Sequence, residues 1–206
     1  MKKTLTIFFL GLLSVVLSSC GMHSSGSKYY AVKHYKPRAS SLGFSIVPPP
    51  GDNWYEKLKQ DSLYYLKIVK SHKRYSILTE AREVRLQRNF ETSAQLLQYV
   101  KREKELDQGA GQLKKVQVNV RIEESLSRNC VRYSRFYEDH GVEGLRGRRH
   151  VNVETQGLFC LHPDNNMVGV DVSYMEKSLS NTKATSFKKE GELFLASLNF
   201  QKVQKN

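Results

Sequence analysis

An α+β domain, an antiparallel β-sheet packed by two or more helices, is what this 206-residue sequence predicts. Three observations carry that expectation. Apolar residues recur with period two along much of the chain, most clearly at Val116, Val118, Val120 and Ile122, which alternate with Gln117, Asn119, Arg121 and Glu123. Only two stretches, behind Asn89 and behind Ser186, show helical spacing. The resulting order is strands, helix, strands, helix. It lacks the alternation that parallel βαβ units require, so antiparallel pairing is favoured.

The first residues have the parts of an export signal: Lys2 and Lys3, then an apolar run from Leu5 to Leu17. That run falls short of the about 20 residues needed to span a bilayer. Its end, Leu17-Ser18-Ser19-Cys20, resembles the lipobox of bacterial lipoproteins, in which the cysteine thiol receives a diacylglycerol before cleavage. The resemblance covers residues 1–20. It implies a signal peptide over 1–19, lipidation at Cys20, and a membrane anchor outside the cytoplasm. Each buried methylene contributes roughly 0.8 kcal/mol, so more than one acyl chain holds the protein stably. In Gram-negative lipoproteins an aspartate after the cysteine favours the inner membrane. Gly21 stands there, which implies the outer membrane. The plainer alternative is an ordinary secretory signal whose cleavage site happens to contain a cysteine.

From Gly21 to about Leu42 the chain is rich in Ser, Lys and Tyr and has no apolar period, so residues 20–42 read as lipidated N-terminus and tether. A single domain is expected over 43–206. It opens with the alternating run Gly43-Phe44-Ser45-Ile46-Val47, which the prolines of Pro48-Pro49-Pro50-Gly51-Asp52 stop because they cannot donate ladder hydrogen bonds. Trp54, the only tryptophan, reads as a lid on the core. Leu63 to Val69 and Tyr75 to Val84 predict a hairpin with the basic tip Lys70-Ser71-His72-Lys73-Arg74. Phe90, Ala94, Leu97 and Val100 predict a helix capped by Asn89 and ended by Gly109-Ala110-Gly111. Strands follow over Val116 to Ile122, Cys130 to Tyr137, Val151 to Leu161 and Val168 to Tyr174, with a turn at Pro163-Asp164-Asn165-Asn166. Ser186 caps a last helix carrying Phe187, Phe194, Leu195 and Leu198, which Gly191 weakens by about 1 kcal/mol relative to alanine.

This order resembles the PsbP-like fold, named for a photosystem accessory protein, over Gly43 to Phe200. The residues that carry the likeness are the Gly43-Phe44-Ser45 strand with Pro50 and Trp54 after it. The resemblance implies a binding or assembly factor rather than an enzyme, and it assigns no functional residue.

Removing residues 1–19 takes only Lys2 and Lys3 from the 33 basic side chains, leaving 31 against 20 acidic ones, a net charge of +11. Such a balance suits an anionic neighbour. Export argues against nucleic acid and for phospholipid head groups, lipopolysaccharide phosphates or acidic cell-wall polymers; a surface kept basic for solubility is the competing reading. With Cys20 acylated, Cys130 and Cys160 are left in an oxidising compartment, where a disulfide is the default. The rival is a thiol nucleophile, Cys160 with His162 or His150, for which no third orienting residue is evident.

No phosphate loop, nucleophile elbow or dinucleotide fingerprint occurs, and histidines 23, 34, 72, 140, 150 and 162 have no ligand spacing, so neither catalysis, cofactor nor metal is expected. Asp139-His140 reads as a turn pair. The feature that stands out is Arg146, Arg148, Arg149 and His150 in a loop punctuated by Gly144 and Gly147, a candidate anion-binding site because guanidinium forks grip phosphates and carboxylates. The functional expectation is a membrane-anchored, non-catalytic module that binds a partner protein or an anionic envelope component. The alternative is an envelope enzyme working through the Cys160 thiol.

Overall fold

The computed structural model describes residues 29–41, 43–58, 62–68, 75–106, 112–124, 129–142, 150–179 and 187–201. The signal segment, Cys20, the tip at 70–74, the glycines of 109–111, Ser186 and the arginines Arg146, Arg148 and Arg149 lie outside the described residues.

Eight strands form one antiparallel sheet. In chain order the strands are β1 (Tyr30–Ala31), β2 (Arg38–Ala39), β3 (Phe44–Ile46), β4 (Trp54–Leu58), β5 (Ser62–Ile68), β6 (Ser76–Arg85), β7 (Leu113–Ile122), β8 (Cys130–Asp139), β9 (Val151–His162), β10 (Asn165–Leu179) and β11 (Asn199–Phe200). The large sheet runs β1-β4-β5-β6-β10-β9-β8-β7, and a small one runs β11-β3-β2. The helices are α1 (Ser93–Leu106) and α2 (Phe187–Ala196).

The expectation of an α+β domain, a sheet packed by helices in a PsbP-like arrangement, is corrected by these elements. Among the described residues the fold is β-rich: 56% are in strands, and there are two short helices. Two physical reasons account for the difference. Strand β10 runs for 15 residues, well past the Val168 to Tyr174 stretch that marks it in sequence. The short strands β1, β2 and β11 are too brief to show a period, yet they add to the sheets through backbone pairing. Residues 29–41, read as tether, thus lie along the domain. There Arg38 grips Glu56 through Nε at 3.0 Å and through Nη2 at 3.2 Å.

The predicted hairpin forms as β5 and β6, paired from Ser62↔Arg82 to Ile68↔Ser76. The turn entering β4 bends through Gly51 and Asn53, both at positive φ, and Trp54 is 2% exposed with its indole N–H donating to Pro50 O at 3.1 Å. Helix α1 starts later than Asn89 suggests. Its cap is Thr92, whose Oγ1 accepts from Gln95 N at 3.2 Å, while the Gln95 side chain accepts from Glu91 N at 2.9 Å, a variant of the capping box. Asn89 stands three residues upstream, and Phe90 is used instead to pack on Tyr99 at 5.1 Å.

Period two assigns every strand residue to a face. On one face Leu96 and Val100 of α1 pack over Val131, Tyr133, Phe159 and Leu161. A buried charge fastens this layer: the Asp171 carboxylate, 5% exposed, accepts from Tyr133 Oη at 2.8 Å and Lys104 Nζ at 2.7 Å. Gly157 makes room for that tyrosine, since a Cβ there would lie 2.0 Å from Tyr133 Cζ. On the opposite face Phe194 and Leu195 of α2, with Phe44 and Ile46 of the small sheet, cover Trp54, Tyr65, Ile77, Leu158 and Val172. Lys67 reaches across to Glu190 of α2 at 2.9 Å and lies over the Trp54 ring at 5.3 Å.

Candidate functional site

The α2 face of β8 and β9 extends beyond the helix, and its far end carries a cluster of titratable groups. The last paired residues of this hairpin are Asp139↔Val151. One step further, His140 and His150 therefore face each other across its mouth, and Glu138, two residues before His140, shares their face. The imidazoles stack at 4.9 Å with 26° between planes. Both direct Nε2 at the same carboxylate, His140 to Glu138 Oε2 at 3.2 Å and His150 to Glu138 Oε1 at 3.5 Å.

Strand β7 supplies the fourth group. The β7–β8 register shifts between Lys114 and Gln117, and Lys115 in the resulting bulge has a φ of 53°. This bend brings its Nζ to 2.8 Å from Glu138 Oε1. The hydrogen bond from Lys115 is the main reason the Glu138 carboxyl lies below the usual carboxylate range; His140 and His150 add to it, against the opposing effect of burial.

Of the sequence-predicted site residues, His150 is in this cluster. Arg146, Arg148 and Arg149 belong to the stretch between its two histidines and lie outside the described residues. Asp139, read from sequence as a turn residue, is the last residue of β8, and its Oδ1 accepts from Gly141 N at 2.9 Å. Arg132 and Arg135 of β8 point to opposite faces. Arg132 is held by Glu123 at 2.6 Å and Glu192 at 2.7 Å, and Arg135 lies over the Tyr137 ring at 4.6 Å.

Cys130 and Cys160 are cross-strand partners and stand as a disulfide pair. In this pairing the Cys160 sulfur is not a free thiol for the Cys/His dyad weighed from sequence. Cys160 faces Cys130, and His150 lies ten residues back along β9, about 33 Å in an extended strand. His162, 3% exposed, packs edge-on against Phe200 at 5.2 Å, and its Nδ1 accepts from Asp164 N at 3.2 Å.

Two grooves adjoin the cluster's face beside α2, one of about 320 Å³ at Arg132, Ser134, Gln156 and Glu192 and one of about 480 Å³ at Gln117, Phe136, Glu154 and Lys188. A third, of about 820 Å³, lies at the base of α1 among Arg85, Arg88 and Arg102 with Phe90 and Tyr99.

Fold and site together define a β-rich domain with one cross-strand cysteine pair and polar, partly basic grooves. No family model matches the chain, and no curated protein matches it in sequence. Among the described residues no helix is long and apolar enough to cross a membrane.

Proposed function

We propose that the chain is a membrane-anchored envelope lipoprotein whose β-rich domain is a non-catalytic binding module for an anionic envelope component, lipid head group or lipopolysaccharide phosphate. The observation that carries this reading is the Cys130–Cys160 pair. Adjacent cysteines on neighbouring strands suit an oxidising compartment outside the cytoplasm, and pairing removes the thiol that the enzymatic alternative requires. The anchor rests on Leu17-Ser18-Ser19-Cys20, and Gly21 after it favours the outer membrane. The anionic partner rests on the net +11 of the processed chain and on the loop with Arg146, Arg148 and Arg149 beside His150.

Metabolic labelling with a palmitate analogue tests the anchor: the native chain should be labelled and Cys20→Ala should remain as unlabelled precursor. Flotation with anionic vesicles tests the partner. The triple change of Arg146, Arg148 and Arg149 to Gln should weaken association, and binding by the native chain should decline as salt rises. Label on Cys20→Ala refutes the anchor. Equal flotation of native and triple-variant protein at low salt refutes the anion-binding loop.

A further inference from the structure

We infer that Glu138, His140 and His150 form a binding site for a borderline-soft divalent cation of the zinc type. Two imidazoles and one carboxylate are a donor set that suits Zn²⁺ and its first-row neighbours, and three protein ligands leave a further position for water or an exogenous ligand.

The geometry is close to what such an ion needs. With ligand bonds of about 2.0–2.1 Å in a tetrahedral shell, neighbouring donor atoms are separated by about 3.3 Å. Here Glu138 Oε2 is 3.2 Å from His140 Nε2 and Glu138 Oε1 is 3.5 Å from His150 Nε2, and one ligand atom from each of the three residues falls within 4.8 Å of the others. Two regular features of the sheet set this up. The facing pair at the hairpin mouth stacks the two rings with their Nε2 edges toward the same carboxylate, and the period-two step puts Glu138 beneath them. The Glu138 side chain is 9% exposed, whereas His140 and His150 are 27% and 21% exposed, so the carboxylate forms the floor and the imidazoles the rim.

Lys115 occupies the place of the cation. Its ammonium sits on Glu138 Oε1 at 2.8 Å, but its side chain is 69% exposed. An arriving metal ion can displace it into solvent, where the flexible lysine stem lets the ammonium rehydrate while the divalent charge replaces it at the carboxylate.

The test uses the full-length protein in detergent, stripped with a chelator and titrated with Co²⁺ followed by its visible absorption, then back-titrated with Zn²⁺. One equivalent of Co²⁺ should bind and be displaced by Zn²⁺. His140→Ala and His150→Ala should each weaken binding on the order of tenfold or more, at least the loss seen when a supporting partner of a ligand is removed. His34→Ala and His162→Ala should leave it unchanged. Lys115→Met retains all three ligands and removes the competitor, so it should tighten binding several-fold. This last variant also decides the matter if a histidine variant does not fold. Uptake that is equal in native, His140→Ala and His150→Ala proteins overturns the site, as does unchanged or weaker binding by Lys115→Met.

Discussion

Gly191 lies in the middle of α2, where helix propensity alone says that alanine should stabilise the domain by about 1 kcal/mol. Packing predicts the opposite sign. The helix lies on Tyr174 of β10 at this point, and a Cβ on residue 191 would come within 2.7, 2.8 and 3.1 Å of three ring carbons, all tighter than ordinary van der Waals contact. The ring has no easy retreat. It is 2% exposed, and its hydroxyl donates to Glu176 Oε1 at 3.1 Å, while Tyr75 Oη holds the other oxygen of that carboxylate at 2.7 Å. Overpacking of this kind costs about 1–3 kcal/mol, and the tightness of these contacts places Gly191→Ala in the upper part of that range, so that after the propensity gain of about 1 kcal/mol it is destabilised by up to about 2 kcal/mol. For a domain of this size that lowers Tm by up to roughly 8 °C. Urea or thermal unfolding followed by circular dichroism reads it directly. In a Tyr174→Ala background the clash is absent, and Gly191→Ala should then stabilise by about 1 kcal/mol, a sign reversal that a general helix effect cannot produce. A higher Tm for Gly191→Ala in the otherwise native chain would refute the reasoning.

Three further outcomes follow from the structure. Cys130→Ser and Cys160→Ser should each destabilise by about 3–4 kcal/mol, as loop closure over a sequence separation of 30 implies, with the double variant no worse than either; additive losses in urea unfolding would mean two independent thiols. Asp171→Ala should cost about 3 kcal/mol because it strips the acceptor from Tyr133 and Lys104 beneath α1, and adding Lys104→Met should recover part of the loss; a neutral Asp171→Ala would show that this network holds nothing. Burial raises the Glu176 carboxyl pKa, with Glu154 across the strand adding to the rise and hydrogen bonds from Tyr75 and Tyr174 opposing it. The folded state therefore holds that proton more tightly than the unfolded chain, so the domain loses stability as pH rises from the ordinary carboxylate range through the raised pKa. Glu176→Gln, which keeps an oxygen acceptor for one hydroxyl and turns its amide NH2 to the oxygen of the other, should flatten that slope, and superimposable stability profiles for variant and native protein would exclude the effect.

Much of the sheet was legible because alternation is a local signal. The run Val116 to Ile122 falls inside β7, and the β5–β6 hairpin follows from two apolar stretches with a basic tip between them. The balance of the fold was not, since β1, β2 and β11 are two-residue strands whose existence depends on a partner strand far away in sequence. Helix α2 shows the same limit from the other side. Its apolar face was readable, but Gly191 looked like a weakness until the ring of Tyr174 appeared beneath it.

The cluster at the hairpin mouth was hidden for a related reason. Search by spacing recognises ligands one helical turn apart or in tight pairs, whereas His140 and His150 are nine intervening residues apart and meet only if β8 and β9 pair in the register that ends at Asp139↔Val151. A slip of one residue would send the imidazoles to opposite faces and dissolve the site. Cross-strand pairing of Cys130 with Cys160 at the opposite end of the same hairpin belongs to that same register. Two features read separately in the sequence, a disulfide and a turn histidine, thus depend on one alignment. A disulfide that holds β8 against β9 consequently also holds Glu138, His140 and His150 together, about 30 Å away along the strands.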